Sequence, residues 1–199
     1  MKIDKKSDIF SPSSEPLKSI LNREINLEEN NISSIHIPHN FKKRKINLPK
    51  TNYGLKIREF VEPFAINAEE KGFGYNIFTA LYEAILNAHQ HGNKDQINSE
   101  ILFANLNSKN SLEFIICDKG TKLANHFISY ILNLRETNSN KSYLNWYEYS
   151  GNPKPETNNG TGTYFIHNYM DIVKYFKSLE NPPIIEVFIL EQVLIFSQS

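Results

Sequence analysis

The sequence feature that most constrains the fold is a run of residues 75–91 whose two faces differ in chemistry. At roughly 100° per residue, apolar side chains fall on one face and a column of polar side chains falls on the opposite face. The pattern predicts an α-helix that packs on a core through its apolar face. The apolar face comprises Phe78, Leu81, Ile85 and Ala88, and the polar column comprises Glu83, Asn87 and His91.

The polar column ends at Gly92, and two interpretations of it are open. Polar residues on the wet face of an amphipathic helix that is closed by a glycine are ordinary helix composition. A carboxylate and a carboxamide one helical turn apart would also hold a general base beside a metal ligand. Two further segments favour the second interpretation.

The first of these segments is a predicted β-hairpin. Residues 101–106 and 112–117 are rich in β-branched and aromatic side chains, and a polar stretch separates them. The second run leads directly into Asp118-Lys119-Gly120. A strand that ends in a turn explains this sequence. A carboxylate at a strand end would also accept a hydrogen bond from the amino group of a base, with the glycine allowing close approach.

The second segment is Gly160-Thr161-Gly162-Thr163, which precedes a predicted helix. Glycines at a helix start leave free N–H groups near the positive end of the helix dipole, where a phosphate binds readily. The lysine-containing phosphate loop and the dinucleotide fingerprint are both absent from the sequence. The helix is predicted from residues at helical spacing, namely Phe165, Tyr169, Val173 and Phe176.

The order of the three segments resembles the GHKL ATPase superfamily. The pattern is Glu-x-x-x-Asn-Ala-x-x-His-Gly, then Asp-x-Gly, then Gly-x-Gly before a helix, and the resemblance covers roughly residues 45–199. Within the superfamily, the chain is most similar to the bacterial anti-sigma-factor serine-protein kinases. Their signature also carries a Met-Asp pair on the helix after Gly-x-Gly, which matches Met170-Asp171.

The resemblance implies a role for each matching residue and the cofactors ATP and Mg²⁺. Glu83 is the expected general base, and Asn87 is the expected Mg²⁺ ligand. These types suit the chemistry, because Mg²⁺ takes few protein oxygens beside phosphate and water, and phosphoryl transfer needs positioning, charge neutralisation and a base. Asp118 is expected to bind the adenine amino group with Gly120 beside the ring, and Gly160, Thr161, Gly162 and Thr163 are expected to close over the phosphates.

The function that the resemblance implies is an ATP-dependent serine/threonine protein kinase that phosphorylates a small antagonist protein. Its expected partners are a sigma factor, the antagonist or both, and a homodimer is open. A non-catalytic module that binds proteins in an ATP-dependent way is the main alternative. A detached histidine-kinase catalytic domain is disfavoured, since His36 and His39 lie among strand or loop signals rather than on a dimerisation helix.

Composition narrows the partners. The formal net charge is zero, so no general affinity for nucleic acid is expected. The basic run Lys42-Lys43-Arg44-Lys45 is interpreted as a solvated linker. No apolar stretch is long enough to span a bilayer, and residues 1–14 lack the apolar core of a signal peptide. Cys117 is the only cysteine and is expected in a buried strand, which agrees with a cytoplasmic location.

A chain of 199 residues suits one compact domain with an appendage. Residues 45–199 are predicted to form the ATP-binding domain, and residues 1–44 are predicted to be an extension that is partly disordered or binds a partner. The predicted elements give an α+β two-layer sandwich, a mixed or antiparallel sheet with helices on one face, as in the histidine-kinase-like ATPase fold. They include an edge strand at 46–48, a helix at 53–71, closing strands at 184–190 and 193–196, and a nucleotide lid at 125–155.

Overall fold

A computed structural model describes residues 34–93, 100–119, 147, 153, 160–178 and 186–193. The predicted lid lies outside these residues except for two positions, and so do Gly120 and the first 33 residues of the chain. The helices are α1 (Tyr53–Glu70), α2 (Ile77–Asn87) and α3 (Gly162–Tyr169), and a π turn (Ala88–Gly92) follows α2. The strands are β1 (Ser34–Ile35), β2 (Lys42–Asn47), β3 (Glu100–Asn107), β4 (Ser111–Asp118), β5 (Ile172–Ser178) and β6 (Glu186–Val193).

The described strands form one mixed sheet in the order β1-β5-β6-β4-β3-β2. The pair of β1 and β5 is parallel, and the other four pairs are antiparallel. A mixed sheet with helices agrees with the α+β class expected from the sequence. The predicted hairpin is confirmed as β3 and β4, and Ser108 closes its turn by accepting the backbone N–H of Ser111 at 2.8 Å.

The main core lies between the three described helices and one face of the sheet. Each helix contributes an apolar stripe, and alternate residues of β3 and β4 point toward these stripes. The Phe103 ring lies at the centre, 4.9 Å from the Phe64 ring and 6.0 Å from the Phe114 ring between centroids. The stripe on α1 is Ile57, Val61, Ala65 and Ala68, and the stripe on α2 is Ile77, Ala80, Leu81, Ala84 and Ile85.

Residues 36–41 cover part of the opposite face of the sheet. Ile37 and Phe41 are buried there against Ala104, Ile115 and Cys117. These residues are expected in an extension, whereas they and β1 pack on and pair with the sheet. Burial of Cys117 agrees with the prediction. Among the described helices, none has the length and apolar composition needed to cross a membrane.

The basic run is the edge strand β2, so its interpretation as a solvated linker is wrong. The predicted strand at 46–48 begins earlier, at Lys42. Arg44 lies over the Phe64 ring, 5.2 Å from its centroid, and the Lys45 ammonium pairs with the Glu100 carboxylate at 3.0 Å. Long basic side chains lie along apolar surface through their stems while their charges stay exposed, and charged residues are common on sheet edges.

The helix predicted through Phe176 is also wrong, because α3 ends at Tyr169 and Val173 lies in β5. Apolar residues spaced four apart fit a helix, but they also fit one face of a strand, and the β-branched and aromatic residues after Asp171 favour the strand. The Met-Asp pair therefore follows α3 instead of lying on it. The two predicted closing strands are also corrected, since β6 runs without a break from Glu186 to Val193.

Candidate functional site

The polar column of the first motif runs from α2 into the π turn. Glu83 and Asn87 lie one turn apart near the end of α2, and both side chains are half-buried. The hydrogen-bond pattern then widens from four to five residues in Ala88–Gly92. His91 lies within the π turn and its side chain is exposed, whereas Glu83 and Asn87 are half-buried.

Gly162 of the third motif lies directly against these two side chains. A Cβ added at Gly162 would lie 2.6 Å from Glu83 Oε2 and 3.4 Å from Asn87 Oδ1. The first of these distances is shorter than real Cβ contacts, so any side chain at this position would displace the Glu83 carboxylate. Absence of a side chain at Gly162 thus allows the start of α3 to contact the polar face of α2.

The start of α3 presents backbone donors at this contact. Gly160 has φ 67°, a left-handed conformation that glycine adopts without strain. Thr161 is the N-cap residue, and its side chain makes no capping hydrogen bond. Thr163 lies in that first turn and is half-buried. The first N–H groups of a helix have no partner within the helix and favour an anion.

Asp118 of the second motif is brought to the end of the first motif. It is the last residue of β4, and its side chain is 1% exposed. A Cβ added at Gly92 would overlap the carboxyl carbon and both oxygens of Asp118. The glycine that closes the π turn therefore makes room for the carboxylate at the strand end.

Burial changes the acid–base behaviour of the site. Burial raises the pKa of Glu83 above its ordinary value. The neighbouring Tyr82 also has a raised pKa, caused first by burial and then by the Glu83 carboxylate. A carboxylate with a raised pKa is a stronger base, which is the change that a general base operating near neutral pH needs.

The sequence motifs give Gly92 no role beyond closing the helix, and they give no role to Asn93 or to the start of α1. The Oδ1 atom of Asn93 accepts a hydrogen bond from the Lys119 backbone N–H at 2.9 Å. Tyr53, at the start of α1, accepts a hydrogen bond from Gln90 Nε2 at 2.9 Å, and its ring lies 4.8 Å from the His89 ring. Gly92 was visible as part of the first motif, but nothing local in the sequence indicated its contact with Asp118.

The three motifs thus meet at one place, except for Gly120, which lies outside the described residues. Glu83, Asn87 and Gly162 form one contact, and Gly92 and Asp118 form a second contact at the other end of the π turn. Within the described ranges, no group of three or more His, Cys, Asp or Glu residues is arranged to hold a metal ion. The arrangement therefore offers single oxygen ligands, a buried carboxylate and helix-terminal amides.

No protein-family model matches the chain, and no curated protein matches its sequence. The resemblance to the GHKL superfamily therefore rests on the sequence motifs alone.

Proposed function

We propose that the chain is an ATP-binding regulatory protein with the histidine-kinase-like ATPase fold, and that it transfers phosphate to a serine or threonine of a small antagonist protein. The contact of Gly162 with both Glu83 and Asn87 carries the proposal. Gly162, to which the resemblance assigns phosphate binding, lies about 75 residues after Asn87 in sequence. It nevertheless lies against Asn87 and Glu83, to which the resemblance assigns Mg²⁺ binding and the role of general base. An ordinary amphipathic helix does not require a glycine from another element to lie against its polar side chains.

The described side chains fit the expected cofactors. Asn87 would supply a single oxygen to Mg²⁺, whose remaining ligands would be phosphate oxygens and water. When bound, Mg²⁺ would neutralise phosphate charge. The amides at Thr161, Gly162 and Thr163 would contact the phosphates, and the half-buried position of Glu83 leaves it access to the same end of the nucleotide.

Asp118 would select the base. Its carboxylate accepts hydrogen bonds, as recognition of the adenine amino group requires. Guanine carries a carbonyl oxygen at the corresponding position, and two acceptors facing each other in a buried pocket cost on the order of a few kcal/mol. The near-complete burial of Asp118 supports this assignment, because discrimination between hydrogen-bonding partners is strongest where water is excluded.

In the transfer step, the hydroxyl oxygen of the antagonist forms a bond to the terminal phosphorus of ATP, and the bond from that phosphorus to the ADP oxygen breaks. The hydroxyl proton passes to the Glu83 carboxylate. The raised pKa of Glu83 suits this role, because it makes the carboxylate a stronger proton acceptor.

The test compares Glu83→Gln with the matched control Glu62→Gln, which makes the same chemical change at an exposed position of α1. ATP binding is measured by calorimetry, and transfer is measured with labelled ATP and candidate antagonists. We expect Glu83→Gln to bind ATP while transfer falls by about 10²–10⁴-fold, and we expect Glu62→Gln to behave as the parent.

Three outcomes of this test differ in meaning. Binding without transfer in the parent would favour a module that uses ATP only as a conformational ligand. Unchanged transfer in Glu83→Gln would exclude Glu83 as the base. Failure of the parent to bind ATP would overturn the proposal as a whole.

A further inference from the structure

Asn93 connects three separate pieces of backbone around the buried end of the π turn. Its own N–H donates to the Ala88 carbonyl at 2.7 Å, and its Nδ2 donates to the Glu100 carbonyl at 3.5 Å. Its Oδ1 accepts from the Lys119 N–H at 2.9 Å. Asn93 is only 3% exposed, so its own end of each bond is buried.

The contacts of Asn93 run beside the contact between Gly92 and Asp118. Gly92 touches the Asp118 carboxylate, and the next residue, Asn93, holds the backbone of the residue after Asp118. Gly92, the last residue of the π turn, and Asn93, the next residue, thus contact the last residue of β4 and the residue after it. The Gly92 contact restrains the Asp118 carboxylate, and the Asn93 bond restrains the backbone that follows Asp118.

We propose that Asn93 is a positioning residue that sets the orientation of the Asp118 carboxylate and thereby the choice of base in the nucleotide pocket. The specificity part of this inference rests on the proposed function. Recognition of a base requires a carboxylate held within about 10–20° of its productive orientation, and buried hydrogen bonds to neighbouring groups supply such control. Asn93 does not touch the proposed ligand and acts through Asp118.

A role limited to ending the helix does not explain the side chain. The bond from the Asn93 N–H to Ala88 closes the π turn, and any residue except proline would donate it. The side chain instead bonds to a residue 26 positions away. An amide both accepts from Lys119 and donates to Glu100, whereas a carboxylate would lack the donor and would add a second negative charge near Asp118.

The experiment compares Asn93→Ala with Asn107→Ala. Asn107 lies at the opposite end of β3, where its Nδ2 donates to Asn67 Oδ1 at 3.3 Å, so the control also removes a side-chain amide bond between two elements. Affinities for ATP and GTP are measured by calorimetry on the full chain. Hydrogen exchange of the Lys119 amide and the ¹³C shift of the Asp118 carboxyl are measured by NMR without nucleotide.

We expect Asn93→Ala to speed exchange of the Lys119 amide, to shift the Asp118 carboxyl resonance and to weaken ATP binding about tenfold. GTP binding should change less, so the ratio of the two affinities narrows. Asn107→Ala should leave all of these quantities as in the parent. If Asn93→Ala does not fold, Asn93→Ser retains a shorter acceptor and is measured in its place.

The outcomes separate this inference from the proposed function. An unchanged Lys119 exchange rate and Asp118 resonance in Asn93→Ala would overturn the positioning role, whether or not the parent binds ATP. If both NMR signals change while the ratio of ATP to GTP affinity stays constant, the specificity role is overturned. If the parent binds no ATP but both signals change, the proposed function fails and the positioning of Asp118 by Asn93 stands.

Discussion

Substitution of Gly162 by alanine tests the contact that joins the first and third motifs. The added methyl carbon would lie 2.6 Å from Glu83 Oε2, whereas ordinary contacts begin at 3.4 Å, so the carboxylate must move by about 0.8 Å. The moving atom is the end of a half-buried side chain, so overpacking should lower the free energy of unfolding by only about 1 kcal/mol. Misplacement of a catalytic group by about 1 Å costs up to 10²-fold in rate, so transfer should fall by about 10–100-fold.

Urea denaturation and the phosphotransfer assay measure these two effects separately. In a double-mutant cycle, Glu83→Ala removes the obstructing carboxylate, so Gly162→Ala should be better tolerated in that background than in the parent. Gly74→Ala is the control glycine substitution, since the nearest atom to its added Cβ is 4.0 Å away. If the effects of Gly162→Ala and Glu83→Ala on the free energy of unfolding are additive, the contact between Gly162 and Glu83 is refuted. If Gly162→Ala transfers phosphate at the parental rate, the catalytic importance of that contact is refuted.

Three further predictions concern single side chains of the site. Burial raises the pKa of Glu83 in the folded state, so the native protein binds this proton more tightly than the unfolded chain does, and the parent loses stability as pH rises from the ordinary pKa of 4.5 through the raised pKa. In urea titrations, the stability of Glu83→Gln relative to the parent should therefore rise with pH over that window and then level off. A stability difference that does not depend on pH would contradict the burial effect. Asn87→Ala should abolish the dependence of ATP affinity on Mg²⁺, as measured by calorimetry. If the variant keeps the parental Mg²⁺ dependence, Asn87 is not the Mg²⁺ ligand. Asp118→Asn should weaken ATP binding and narrow the preference for ATP over GTP, whereas a full preference retained in competition binding would exclude Asp118 as the base-selecting group.

Local periodicity was sufficient to predict α1, α2 and the hairpin of β3 and β4. The two faces of α2 follow from its spacing of apolar residues, and the position of Asp118 follows from the apolar run that precedes it. The same reasoning predicted α1 at 53–71, and the structure has it at Tyr53–Glu70. These elements are long or strongly patterned, so their local preferences and their packing agree.

The errors arise where a long-range contact decides between local options. The π turn follows an α-helical sequence pattern, but it is where Gly92 meets Asp118 and Asn93 meets Lys119, and neither partner is near in sequence. Val173 fits helical spacing, yet it is part of β5, which pairs with β6. The charges of the basic run predict a solvated linker, and its side chains are indeed exposed. The strand is determined by backbone hydrogen bonds to β3, which composition does not reveal.

The order of the strands has a consequence for the time course of folding. The hairpin of β3 and β4 forms from neighbours in sequence, but the other edge of β4 is occupied by β6, which is the last described strand. Asp118 pairs with Glu186 in that register. Closing so long a loop is entropically costly and slows folding. On the ribosome, β4 therefore cannot pair with β6 until residues 186–193 have been synthesised, so the sheet beneath the site is completed later than the hairpin of β3 and β4.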